Sequence, residues 1–180
     1  MDYICCNKNN PLLHLLPFTQ DDFERLIQWV GNAEDLMQFA GPSLQYPITK
    51  TQLQEYIAVK ARTPYKVCYQ QEVIGHCAIT DLNESSAMLN HILIGECKFR
   101  NLGLGKQIVK EMLQIIFENM NIQSAELYVF DWNIGAIKCY KQIGFVEVPT
   151  DFKIREVCGS KWKAYKMVLK REDYFSNNPF

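Results

Sequence analysis

The chain has 180 residues, of which 48% are hydrophobic and 22% charged, and its formal net charge is −1. Its pI lies near 6.3. That length suits one domain with a single substantial core. The near-neutral balance argues against a general binder of nucleic acid or anionic membrane, and no stretch approaches the length of a membrane span.

Seven cysteines (Cys5, Cys6, Cys68, Cys77, Cys97, Cys139, Cys158) form an odd set without a C-x-x-C pair. They read as free thiols in a reducing compartment rather than a disulfide framework or a metal site. The start of the chain lacks the basic end and apolar run of an export signal. The expected location is therefore the cytoplasm, with no metal, nucleic acid or membrane partner.

Residues 1–11 read as a loose polar tail ending at Pro11. Leu12 to Phe18 predicts a first strand. Thr19 reads as an N-cap, with Asp21 and Asp22 in the first turn, and a helix follows through Phe23, Leu26, Ile27 and Val30 to Gly31. A second short helix covers Glu34 to Phe39. A third starts at Thr49 or Thr51, runs through Leu53, Tyr56, Ile57 and Lys60, and is closed by Pro64. From Tyr65 the pattern becomes extended. Tyr65–Gln70 and Val73–Thr80 flank Gln71-Glu72 as a hairpin, and a polar turn over Asp81–Ser86 leads into a further strand.

That strand includes Ile92, Leu93 and Ile94, and a long amphipathic helix reaches Met120 after the loop Arg100-Asn101-Leu102-Gly103-Leu104-Gly105. Ala125–Phe130 predicts another strand, and Asn133 starts a helix that ends at Gly144. Phe145–Val148 and Ala164–Leu169 predict two last strands with a long polar loop between them. Asp173–Phe180 reads as a loose tail. There is no repeat, low-complexity run or linker, so residues 1–180 read as one domain. The element order predicts a mixed sheet with helices packed on it, an α+β or α/β sandwich.

The glycine loop lets several backbone N–H groups turn toward one point at the start of a helix, so by itself it reads either as an anion cradle or as a tight strand-to-helix turn. It is not a dinucleotide fingerprint, which needs a glycine where Ile108 stands. Nor is it a Walker A loop, which needs a glycine at Arg100 and a hydroxyl at Gln107.

A second constellation lies one strand downstream: Asn133, Ala136-Ile137, Tyr140 and Gly144-Phe145. Together with Arg100, Gly103 and Gly105 it resembles the GNAT superfamily of acyl-CoA-dependent N-acetyltransferases. The two motifs cover residues 86–146. The likeness implies a mixed, mostly antiparallel sheet of roughly six or seven strands with helices on both faces and a splayed central strand pair. It implies acetyl-CoA as acyl donor and direct transfer to a primary amine through a tetrahedral intermediate. The acceptor stays open among small amines and protein N-termini, with a loose likeness to ribosomal-protein N-terminal and polyamine acetyltransferases. A homodimer is compatible with the family. The other reading of the same fold is a non-catalytic acyl-CoA sensor or interaction module.

The resemblance also assigns roles. The pyrophosphate would meet Arg100, Asn101, Leu102, Gly103, Leu104, Gly105 and Lys106, while the pantetheine arm would pair with Ile92, Leu93 and Ile94. A strand N–H from Leu93 or Ile94 would polarise the thioester carbonyl, and Gly95 is the expected place for a bulge. Asn133 and Ala136 would face the pantetheine arm; Asn133 also reads as a helix N-cap. Tyr140 would be the general acid, against its plain reading as a core tyrosine.

No carboxylate stands near Met88, where many family members carry one. His91 is the candidate base, with Glu84 and Glu96 as groups acting through water. Trp29, Phe39, Tyr46, Tyr56 and Phe152 are candidate acceptor walls, of which Trp29 and Tyr46 lead. Asp21, Asp22, Glu34 and Asp35 are candidates to attract a cationic amine. Cys139 reads as a small buried thiol.

Overall fold

The computed structural model describes residues 13–120 and 122–177; the expected tail over residues 1–11 and the end of the chain after residue 177 lie outside them. Seven strands form one sheet: β1 His14–Pro17, β2 Arg62–Tyr69, β3 Glu72–Asp81, β4 Ser86–Ile94, β5 Ser124–Phe130, β6 Val146–Val157 and β7 Ser160–Lys170. Their spatial order is β1-β2-β3-β4-β5-β7-β6. Every neighbouring pair is antiparallel except β4 and β5.

Three helices, α1 Phe23–Trp29, α2 Ala33–Ala40 and α3 Lys50–Ala58, share one apolar cluster built on Phe18, Leu26, Leu36, Phe39, Leu53 and Tyr56. The larger cluster lies on the other face, under α4 Leu104–Gln114 and α5 Ile134–Ile143. Helix α4 buries Leu104, Ile108, Val109, Met112 and Leu113, the stripe expected of a 3.6-residue period facing a core. Burying each such side chain contributes about 1.5–3 kcal/mol. The helix does not continue regularly to Met120: Ile115–Asn119 forms a π-turn.

Three other elements depart from the sequence reading. Pro64 does not close α3; it lies inside β2, opposite Ala78 and just beyond the last β1 pair, Pro17 with Tyr65. A missing donor is tolerated where one neighbouring ladder ends. The long loop expected between the last two strands is instead a hairpin closed by Cys158-Gly159, both at positive φ. Its outward residues, such as Phe152 and Ile154, are exposed, so the alternation of a half-buried strand is absent from the sequence. Residues 173–177 are not a loose tail but belong to α6, Arg171–Asn177, with Tyr174 against Phe117 at 5.2 Å between ring centroids.

The β2–β3 turn places Gln70 at φ 47° and Gln71 at φ 69°, the left-handed pair of a turn that favours Asn-Gly. Each such non-glycine residue costs roughly 1–2 kcal/mol, offset in part by the greater unfolded-state freedom of glycine. The double substitution Gln70→Asn with Gln71→Gly should therefore raise stability by roughly 1 kcal/mol. An unchanged or lower urea midpoint would contradict that account of the turn.

Candidate active site

Strands β4 and β5 pair over only three residues, Ser86–Met88 against Ser124–Glu126. Beyond Met88 they part, and a cleft of about 730 Å³ opens between Leu89–Ile94 on one side and Leu127–Phe130 on the other. The N-terminal turn of α4, the face of α5 and Trp29 complete its walls. The expected splayed pair is thus present in the backbone.

The bulge that bends β4 is not at Gly95. Between His76 and Ala78 of β3, the partner on β4 jumps from Leu93 to Asn90. Strand β4 therefore carries one residue too many there, and His91 takes φ 52°. Gly95 serves packing: a Cβ at that position would overlap the indole of Trp29, whose Nε1 donates to Glu96 at 3.1 Å.

His91 is buried, 5% exposed. It donates a ring N–H to the Ala40 carbonyl, which leaves Nδ1 to accept the Tyr56 hydroxyl at 3.0 Å. The Tyr56 oxygen in turn accepts from His76 Nε2 at 2.9 Å, so Nδ1 of His76 is left without a partner. Burial lowers the His91 imidazole to about 3, with the nearby Arg62 charge adding to the effect. Burial also holds His76 well below its ordinary value, with His91 and Arg62 contributing. An imidazole that is neutral, committed on both nitrogens and this reluctant to protonate is poorly suited to the base role expected of it. His91 does line the cleft; its geometry is that of a link holding the bulge.

The loop before α4 resembles the expected cradle, with one revision. Asn101 (φ 62°) and Gly103 (φ 77°) alternate the backbone hand, and the first-turn N–H groups of Leu104 and Gly105 have no intrahelical acceptor. Open space lies where a Cβ would stand on Gly103 or Gly105. The Arg100 guanidinium, however, donates back to the Ile94 carbonyl at 2.9 Å and to the Gly95 carbonyl at 3.3 Å. It fastens the loop to the end of β4. Arg100, Asn101, Leu104 and Lys106 all line the cleft, whereas Leu102 is not among its lining residues.

On α5, Asn133 caps the helix by accepting the Ala136 N–H at 3.2 Å. Both residues line the cleft, so the cap and the site occupy one position. Tyr140 lies on the same wall, half-buried, and its hydroxyl makes no hydrogen bond with another described residue. Burial pushes its phenol up, with Cys139 adding to the effect, so the proton stays on. Burial raises the Cys139 thiol too, with Lys106 opposing, as suits a small half-buried thiol.

Of the acceptor walls, Trp29 and Phe39 line the cleft. Tyr46 does not; it is 48% exposed and donates to the Gly31 carbonyl at 2.9 Å. Tyr56 is tied up between the histidines, and Phe152 lies on β6 beneath Lys163. Asp22 is buried against Lys66 and Arg25, so it is not available to a ligand. Asp35 is the one carboxylate among the described residues lining the cleft. The sequence reading missed Asn90: its amide donates to Thr80 at 2.9 Å, and its buried Oδ1 has no partner although the residue lines the cleft.

The two buried histidines give a pH dependence with a definite sign. Both have folded-state values below the ordinary 6.5, so the unfolded chain binds more protons as pH falls below 6.5. Their contribution is intact above pH 6.5 and is lost progressively as pH falls toward 3. The slope approaches two protons taken up per molecule unfolded. Urea titrations at pH 7 and pH 5 should show this loss, and a variant carrying Gln at both positions should flatten it. Equal stability of the parent at both pH values would refute the assignment. Tyr56→Phe, which strands two imidazole nitrogens, should cost about 1–3 kcal/mol.

Comparison with known proteins agrees with this geometry. The family model of the acetyltransferase (GNAT) domain matches residues 13–146, well over half of the chain. Among solved structures, spermidine N-acetyltransferase from Vibrio cholerae in complex with CoA and spermine superposes with a TM-score of 0.77 at 20% identity. That match covers 92% of this chain and 99% of the other. The dodecameric form of the Vibrio cholerae enzyme in an intermediate state gives a TM-score of 0.73 at 18% identity, covering 94% and 99%. The chain therefore belongs to the GNAT family of acetyltransferases, enzymes that transfer an acetyl group from acetyl-CoA to an amine.

Proposed function

We propose that this enzyme acetylates a cationic primary alkylamine of the polyamine class, with Tyr140 as general acid. The observation that carries the reading is the cleft itself. It brings the loop before α4, the free edge of β4 and Tyr140 onto one continuous surface.

The residues present fit coenzyme A. The N–H groups around Gly103, Leu104 and Gly105 suit a pyrophosphate, and the unpaired edge over Ile92–Ile94 suits the amides of a pantetheine arm. Lys106 lies at the same end and supplies positive charge. Bound there, acetyl-CoA supplies the activated acetyl thioester. A free N–H of β4 is placed to stabilise negative charge on a carbonyl oxygen, and Tyr140 holds its proton for the sulfur that departs.

The acceptor side has the opposite polarity. Asp35 attracts an ammonium group, and Trp29 and Phe39 bound the approach. With His91 neutral and occupied, the ammonium proton leaves through water on the Asp35 side. The spermidine N-acetyltransferase neighbours support an acceptor of this class. Self-association into a homodimer or larger assembly belongs to the same reading, supported by the dodecameric neighbour; sedimentation at assay concentration tests it.

Excess acetyl-CoA, at a hundred times its Kd, should stabilise the fold by ~2.7 kcal/mol. Turnover with spermidine is best read by mass spectrometry, because the protein's own thiols (Cys97 and Cys158 are exposed) confound free-thiol detection. Tyr140→Phe should lower kcat by ~10²-fold or more while leaving the acetyl-CoA-induced stabilisation in place. Full activity of that variant would remove Tyr140 from the mechanism; absence of any acetylated amine would overturn the reading as a whole.

A further inference from the structure

Beside the main cleft lies a second hollow of about 320 Å³, walled by Glu34, Asp35 and Gln38 of α2 and by Trp132 and Trp162. Asp35 and Gln38 also line the main cleft, so the two spaces share a wall. The indoles of Trp132 and Trp162 meet nearly at right angles, 76°, with ring centroids 4.9 Å apart. Trp132 is fixed from behind by Phe130, stacked at 7° and 5.7 Å, and Phe130 also meets Trp162 edge-on at 5.1 Å. Yet Trp132 remains 44% exposed.

A stacked, buttressed indole with an open outer face is a rigid platform. Each indole face carries the negative lobe of its quadrupole, which suits a cation, and a carboxylate wall opposite adds to that preference. The chain uses this interaction elsewhere with its own cations: Lys153 lies over Tyr128 and Lys163 over Phe152. No lysine or arginine among the described residues lies over Trp132 or Trp162. Asp35 accepts from the uncharged Asn32 amide at 3.0 Å, and Glu34 has no partner among the described residues, so neither carboxylate is neutralised by a cation among them.

From this geometry we infer that the hollow is a subsite for a second ammonium group of the acceptor, whose reacting amine occupies the main cleft. The inference rests on the amine-acetyltransferase reading above and narrows it. A di- or polycationic amine places one charge beside Asp35 and another between the indoles and Glu34. A simple monoamine leaves the indole corner unused. An amino acid or a peptide N-terminus carrying a nearby carboxylate meets Glu34 and Asp35 as like charges.

The test is calorimetric titration of the full chain, saturated with coenzyme A, with spermidine and with butylamine, in the parent and in Trp162→Leu and Glu34→Gln. Neither substituted residue lines the main cleft, and neither is buried. The parent should bind spermidine roughly ten-fold or more tighter than butylamine, and each variant should reduce that ratio several-fold with butylamine affinity little changed. Ratios that are the same in parent and variants, or equal losses for both amines, would overturn the subsite. Turnover of both amines followed in parallel separates the two claims. Selective binding without acetylation would sink the function proposed above and leave the subsite standing; acetylation with unaltered selectivity would do the reverse.

Discussion

A short chain of hydrogen bonds in the core, from His76 through Tyr56 to His91, holds the part of the backbone on which the cleft depends. His91 stands at a positive φ in the middle of a strand, a conformation that costs a non-glycine residue roughly 1–2 kcal/mol. Two hydrogen bonds, to Tyr56 and to the Ala40 carbonyl, each worth about 0.5–1.5 kcal/mol net, are of the size needed to offset it. The bulge they hold turns β4 away from β5 after three paired residues. Without that turn the sheet would close and there would be no slot. The second face of the sheet, with α1, α2 and α3 packed on it, thus shapes the site from behind.

The proposed function divides the work of the site by type of atom. In the function proposed above, the groups that would recognise the donor are mostly backbone N–H, presented by the loop before α4 and the free edge of β4. Arg100 contributes there by tying the loop to the Ile94 and Gly95 carbonyls. The acceptor groups proposed above are side chains: Asp35, Trp29 and the indole corner. Backbone recognition depends on the course of the chain, which the fold holds constant. Side-chain recognition is replaceable one residue at a time, so acceptor preference can shift without disturbing the donor.

The same division explains what was legible in the sequence. The glycine loop and the Asn133–Phe145 stretch are local patterns, and the family resemblance they carry implies the sheet and the splayed pair. The bulge lies between Asn90 and Leu93 and not at the expected Gly95, because a glycine marks where the backbone is free and not where distant hydrogen bonds constrain it. Residue type alone makes His91 a candidate base; only the three-dimensional partners reveal that both its nitrogens are taken. The β6–β7 hairpin lacks hydrophobic alternation, since much of its outer face is solvated, and so it reads as a polar loop. Trp132 lies in the turn between β5 and α5 and Trp162 on β7, so no spacing in the chain announces that their rings meet.

An unpaired strand edge is ordinarily a liability, because it offers a row of donors and acceptors to any other exposed strand. Here the free edge of β4 lies at the centre of the sheet, overlooked by Leu127–Phe130 of β5 and by α5. A narrow, flexible chain can enter that slot, whereas the edge of another folded sheet cannot. The splay that creates a binding surface therefore keeps the same surface from nucleating edge-to-edge aggregation, and the protein needs no charged gatekeeper on that stretch of β4.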